Sequence, residues 1–299
     1  MRTQAGLIDA PVCKEFLPFS QPEIGRAEID EVVDTLRSGW ITSGPKTKEF
    51  ERRFAEYVGA RHAIAVSSCT AALHLALAAA GIGPGDEVIT SPLTFCSTAN
   101  VIIHLGGLPV FADIGDDFNI DPSEIEKRIT PHTKAIIPVH YSGLPCRMDE
   151  ILACARKHNL MVIEDAAHAI GARYGDRMIG SLGHATAFSF YAIKNMTTAE
   201  GGMISTDDDE LAEKMRRLSL HGISQDAWKR YAKEGAWYYE VIYAGYKCNM
   251  TDIQAALGLH QLARLEQFLE ARQRYATLYN AAYGPIPELQ IPVVNAGLR

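Results

Sequence analysis

At 299 residues the chain has room for about two domains of ordinary size, or for one large α/β domain with an appendage. Its 47% hydrophobic and 22% charged content is close to the globular average, which excludes a disordered chain, a collagen-like fibre and a coiled coil. A net charge of −7 argues against nucleic acid or anionic lipid as a partner, and the apolar runs are too short for a membrane span or a signal peptide. The six cysteines (Cys13, Cys69, Cys96, Cys146, Cys154, Cys248) are scattered without a Cys-x-x-Cys pair. No metal site is expected from them, and reduced thiols in a cytoplasmic protein are the simplest reading.

Helix and strand signals alternate along the chain. Ile29, Val32, Val33 and Leu36 recur at helical spacing before Gly39, and Phe50, Phe54, Tyr57 and Val58 do so before Gly59. A short buried strand is expected at Ala63–Val66 and a helix over Ala71–Ala80. Strands follow at Glu87–Thr90 and Leu108–Ala112. Asp121-Pro122-Ser123-Glu124 reads as a helix start, with Asp121 as N-cap and Glu124 reaching back to it. Strands at Ala135–Val139 and Leu160–Ile163 enclose a further helix. Strands at Ala187–Phe190 and Met203–Ser205, a helix over Asp207–Leu218 and a long helical region from Thr251 toward Tyr283 complete the pattern. Nearly continuous apolar strands between helices predict a mostly parallel sheet covered on both faces. Around Pro285, Pro287 and Pro292 only the start of a small second domain is expected, so the expected division is 1–262 and 263–299.

Three places could carry chemistry. At Ser67-Ser68-Cys69-Thr70-Ala71, small residues lead from a strand into a helix whose N-terminus suits a phosphate; an ordinary N-cap is the plainer reading. Glu164-Asp165 stands at a strand end, where α/β enzymes keep their sites, with His168 nearby; a simple helix cap fits equally well. Lys194 follows the mainly apolar run Phe188–Ile193, so its amine could be desolvated and nucleophilic, although most lysines at a loop start are solvated. There is no Gly-x-Ser-x-Gly elbow, Walker-type phosphate loop, His-Glu-x-x-His helix or Gly-x-Gly-x-x-Gly fingerprint. Taken together, a phosphate-cradling helix start, an aspartate and a lysine about 29 residues later are the parts a pyridoxal 5'-phosphate enzyme needs. The lysine forms the Schiff base, and the aspartate keeps the pyridine nitrogen protonated.

The sequence also resembles the DegT/DnrJ/StrS sugar aminotransferases, a fold-type-I family, from about Phe16 to about Leu265. The resemblance is carried by Ser38-Gly39-Trp40-Ile41-Thr42-Ser43-Gly44-Pro45, Ser67–Ala71, Gly83-x-Gly85-Asp86-Glu87-Val88 and Pro138-Val139-His140-Tyr141-x-Gly143. It continues in Glu164–Ala169, Phe188-Ser189-Phe190 with Lys194, Glu200-Gly201-Gly202 and Gly245-Tyr246-Lys247-x-Asn249. His168 and Ala192-Ile193-Lys194-Asn195 look most like enzymes that aminate UDP-4-keto-pentose or UDP-4-keto-6-deoxy-hexose sugars, the UDP-4-amino-4-deoxy-L-arabinose type among them.

The resemblance implies a mostly parallel seven-stranded sheet and a role for each matching residue. Lys194 and Asp165 would be catalytic. Thr70 and Ala71 backbone groups and the Ser189 hydroxyl would hold the phosphate. Phe95 would stack on the ring, and His168 would touch its far side or its phenolic oxygen. Asn249 would reach the phosphate of the neighbouring subunit, so the site would be shared in a homodimer. The implied reaction moves an amine from L-glutamate to a nucleotide-linked keto sugar, for cell-surface polysaccharide, lipid A or antibiotic biosynthesis. Lys194 argues against the dehydratase branch, which carries histidine there. Family members continue well past this length, so the resemblance implies a truncated C-terminal domain. Two other readings stand beside it: a fold-type-I enzyme acting on an amino acid, and a cofactor-binding protein without turnover.

Overall fold

A computed structural model describes residues 15, 16, 18, 20–224 and 239–292. Cys13 and the end at 293–299 lie outside the described residues. Seven strands form the main sheet: β1 (His62–Val66), β2 (Glu87–Thr90), β3 (Leu108–Phe111), β4 (Thr133–Ile137), β5 (Met161–Asp165), β8 (Ala185–Ser189) and β9 (Gly202–Thr206). Between β5 and β8, the short strands β6 (Arg173–Tyr174) and β7 (Arg177–Met178) pair separately. The spatial order is β1-β9-β8-β5-β4-β2-β3, and the block from β8 to β3 is parallel. Only β9 runs against its neighbours, β1 and β8. The expected mostly parallel, seven-stranded α/β architecture is therefore what the chain adopts.

The central strands are mainly apolar because both faces of the sheet are covered there. Ile64, Val66, Ala135, Ile137, Ile163 and Ile204 pack on one face beneath α3 (Cys69–Ala79) and α7 (Asp209–Ser219). Their alternates Ala63, Ala65 and Met203 meet α2 (Pro45–Val58) and α8 (Asp252–Ala263) on the other. Further along that face Ile136 and Val162 meet α5 (Pro122–Arg128) and α6 (Met148–His158). Phe50, Phe54, Phe188 and Phe190 form a cluster of three edge-to-face pairs and one tilted pair, with ring centroids 5.1 to 6.2 Å apart. The remaining helices are α1 (Arg26–Ser38), α4 (Ser97–His104) and α9 (Leu265–Tyr283).

Element bounds shift by one or two residues in several places, and three of the differences have a clear physical reason. β4 stops at Ile137, short of Val139, because Pro138 has no N–H to donate to the ladder. Asp121 caps α5 through Ser123 N–H at 2.8 Å, as expected, but Glu124 does not reach back. The Asp121 N–H is already taken by the Asp113 carbonyl, and Glu124 pairs instead with Lys127 at 2.5 Å. The expected long helix from Thr251 is two helices that meet at Arg264, whose guanidinium reaches back to the buried Glu28 at 3.0 Å. α8 packs on α1 and α2, whereas α9 buries only Leu265.

Candidate active site

The carboxyl ends of the parallel strands and the loops beyond them surround one pocket of about 580 Å³. This is where an open parallel sheet holds its ligands. β5 ends in Asp165, which is almost fully buried. Its main chain is fixed by hydrogen bonds to Pro138 and His140, and one carboxylate oxygen accepts from Ala167 N–H at 3.1 Å. β8 ends in Ser189, and the turn after it carries Lys194, half-buried on the same wall. β1 leads through Ser68 into α3, whose first turn also faces the pocket. The pocket thus gathers Thr70, Phe95, Asp165, His168, Ser189 and Lys194.

Ala71 and Asn249, the latter expected to serve the neighbouring subunit, do not line this pocket. The Ala71 N–H goes to the Ser68 hydroxyl at 3.0 Å. Ser68 is therefore also the N-cap that the plainer reading proposed. Asn249 lies behind Ser43, donating to its hydroxyl at 2.7 Å, and the Lys247 ammonium donates to its side-chain oxygen.

Glu164 and Asp165 part company, because neighbouring residues on a strand face opposite ways. Glu164 turns away from the sheet edge and is fully buried. It accepts from His140 Nε2 at 2.9 Å, Gly183 N–H at 2.7 Å and the Thr186 hydroxyl at 2.8 Å. His140 Nδ1 accepts the Cys146 N–H at 3.1 Å, so the ring proton sits on Nε2 and points at the carboxylate. His140 carries no assigned role in the sequence reading, although it stands in the Pro138–Gly143 motif. Thr98, which donates to Asp165, falls in no motif at all.

Glu200-Gly201-Gly202 closes the wall for a steric reason. A Cβ on Gly202 would lie 2.5 Å from the Ser68 carbonyl carbon, so only glycine lets β9 pass the start of α3.

Burial shapes the electrostatics. It pushes the Lys194 amine below its ordinary value, and Cys69 and Asp165 act in the other direction. Burial also holds the His168 imidazole down, reinforced by the positive charge of Lys194. The sign for Lys194 follows directly: the protonated form is disfavoured, so the free amine appears at lower pH than on an exposed lysine. Amine-directed labelling of cofactor-free protein over a pH series, read by peptide mass spectrometry, is expected to give Lys194 a midpoint below 10.5. A midpoint at or above that value would contradict the burial argument.

These residues fit pyridoxal phosphate by the chemistry of their donors. A poised amine, a buried carboxylate, an aromatic face and a helix N-terminus with a neighbouring hydroxyl converge on one pocket of ligand size. Among the described residues no cluster has the make-up of a metal site.

Comparison with known proteins agrees. The DegT/DnrJ/EryC1/StrS aminotransferase family matches residues 22–297. The spore coat polysaccharide biosynthesis protein SpsC of Bacillus subtilis is 61% identical over 281 residues, covering 94% of this chain and 72% of SpsC. Spr1654 of Streptococcus pneumoniae, solved in its PLP form, superposes with a TM-score of 0.84 at 41% identity. That match covers 90% of this chain and 72% of Spr1654. Helicobacter pylori PseC, an aminotransferase involved in the biosynthesis of pseudoaminic acid, gives 0.84 at 34% identity, covering 90% of this chain and 71% of PseC. This chain belongs to the DegT/DnrJ/EryC1/StrS aminotransferase family, and it is a pyridoxal-phosphate-dependent enzyme of fold type I.

Proposed function

We propose that the enzyme moves an amine from L-glutamate to the ketone of a nucleotide-linked sugar, with a UDP-4-keto sugar as the preferred acceptor. The observation that carries this reading is the meeting of Lys194 and Asp165 in one pocket with the start of α3 on its wall. Bound pyridoxal phosphate supplies an electron sink for the carbon that loses its proton. Everything else falls to the chain. The Lys194 amine would anchor the cofactor and then carry the proton between cofactor and substrate carbons, a task that its lowered proton affinity favours. The Asp165 carboxylate holds the pyridine nitrogen in its charged form. Thr70 and Ser189 would hold the phosphate, Phe95 would stack on the ring, and His168 would meet its far side or its phenolic oxygen.

Tyr191 and Ile193 leave apolar surface on the pocket lining, which suits a bulky second substrate. The names of SpsC and PseC, taken from polysaccharide and pseudoaminic acid biosynthesis, support a sugar acceptor. We assign Asn249 to the site of a second copy in a homodimer, and residues 263–299 to the start of a smaller domain, in keeping with the exposure of α9. The five described cysteines are free, which fits work in the reducing cytoplasm.

The test is a two-stage absorbance experiment. The visible absorbance of the PLP-loaded enzyme is expected to fall on adding L-glutamate. It should return when a UDP-4-keto sugar is added, with the amino sugar detected by mass spectrometry. Loss of absorbance with glutamate but no return with any keto sugar would remove the sugar assignment. Indifference to glutamate would remove the amino donor.

A further inference from the structure

Asp165 is held from two directions. Ala167 N–H, from its own loop, binds one carboxylate oxygen. The second oxygen accepts from the Thr98 hydroxyl at 2.7 Å, a group on a different element, the first turn of α4. Thr98 is fully buried and does not line the pocket, so it does not touch the ligand itself. Its hydroxyl lies 2.7 Å from that of Thr94, which does line the pocket.

The directions of these bonds follow from proton counting. An ionised carboxylate has no proton to give, so Thr98 donates to Asp165. Thr98 has only one hydroxyl proton, so Thr94 donates to Thr98. The result is a one-way chain from Thr94 through Thr98 to Asp165, in which each bond polarises the next. The backbone of Thr98 makes a second connection, for its N–H donates to the Phe95 carbonyl at 3.1 Å. One residue therefore ties the carboxylate assigned to the edge of the ring to the aromatic assigned to its face.

We propose that Thr98 is a positioning residue for the aminotransferase reaction: through its hydroxyl, oriented by Thr94, it fixes the Asp165 carboxylate toward the cofactor nitrogen. This rests on the reading of Asp165 given under Proposed function. A valine has nearly the shape of threonine but no hydroxyl, and a serine keeps the hydroxyl while losing a methyl group. The pair separates hydrogen bonding from packing.

The experiment uses full-length enzyme loaded with pyridoxal phosphate. The Thr98→Val, Thr98→Ser, Thr94→Val and Asp165→Asn variants are compared by spectrophotometric pH titration of the bound cofactor and by its dissociation constant. Circular dichroism confirms the fold of each. Thr98→Val is expected to raise the titration midpoint by about half a pH unit or more and to weaken cofactor binding roughly tenfold, the scale of one hydrogen bond to a charged group. Thr94→Val should move both in the same direction by less. Thr98→Ser should restore both to near the parent values. A folded Thr98→Val that titrates like the parent would overturn the proposal, and so would a Thr98→Ser that behaves like Thr98→Val, since packing would then be the cause. Asp165→Asn separates the two levels. If it moves the midpoint while Thr98→Val does not, only the role of Thr98 fails. If it leaves the midpoint unchanged, the reading of Asp165 fails with it.

Discussion

Lys194→Ala is expected to lower the rate of amine transfer by about four orders of magnitude or more, because one substitution removes both the covalent anchor and the proton carrier. The fold should survive. Lys194 sits on a turn after β8, outside the three buried apolar clusters, and its N–H bond to the Tyr191 carbonyl is independent of the side chain. The Thr70 and Ser189 wall is untouched, so pyridoxal phosphate should still bind, more weakly and without its visible lysine-linked absorbance. Steady-state assays with glutamate and a keto sugar, beside a thermal melt, separate loss of chemistry from loss of structure. Retention of more than about one per cent of the parent rate would be incompatible with the role given to this lysine.

The second large effect concerns stability. Asp252 is buried at the start of α8, yet its carboxylate caps a different helix. One oxygen accepts from Gly44 N–H at 2.7 Å, Thr47 N–H at 2.9 Å and the Thr47 hydroxyl at 2.6 Å, and the other from Lys46 N–H at 3.0 Å. It thus satisfies the donors that the first turn of α2 cannot satisfy itself, and its negative charge faces the positive end of that helix. Asp252→Ala strands these donors in the interior. The expected loss is about 3 kcal/mol or more, read as a lower midpoint in urea with an unchanged slope. Asp252→Asn, which keeps part of the acceptor set, should lose less. A midpoint within error of the parent would show that water replaces the carboxylate and that the cap is dispensable.

The two substitutions differ in how visible their sites are in the sequence. Lys194 and Asp165 are legible because each follows an apolar run: Asp165 closes a buried strand, and Lys194 stands on the turn after one. The run Glu87–Thr90 is legible to the residue, since charge and turn signals bound it on both sides. Asp252 reads only as an acidic residue in the first turn of its own helix. Nothing local reveals that α2, distant in sequence, supplies its partners. Thr98 is hidden for the same reason: a hydroxyl near a helix start reads as capping, and its true partner enters from β5. Glu164 and Asp165 are chemically alike, so the sequence offers both to the site. The alternation of the strand decides between them. The direction of β9 also has no local signal, because an apolar strand looks the same read either way.

That reversed strand bears on the order in which the enzyme is expected to become competent. β9 pairs with β1 on one side and β8 on the other, joining the earliest strand of the sheet to the latest. Ser68 between β1 and α3 and Lys194 after β8 share a wall only once β9 is seated between β1 and β8, with bare Gly202 against the Ser68 backbone. Such a pairing closes a very long loop, which makes it a slow step in assembly. The pocket is accordingly expected to be among the last features to form, and a ligand that fills it would favour chains whose sheet is already complete.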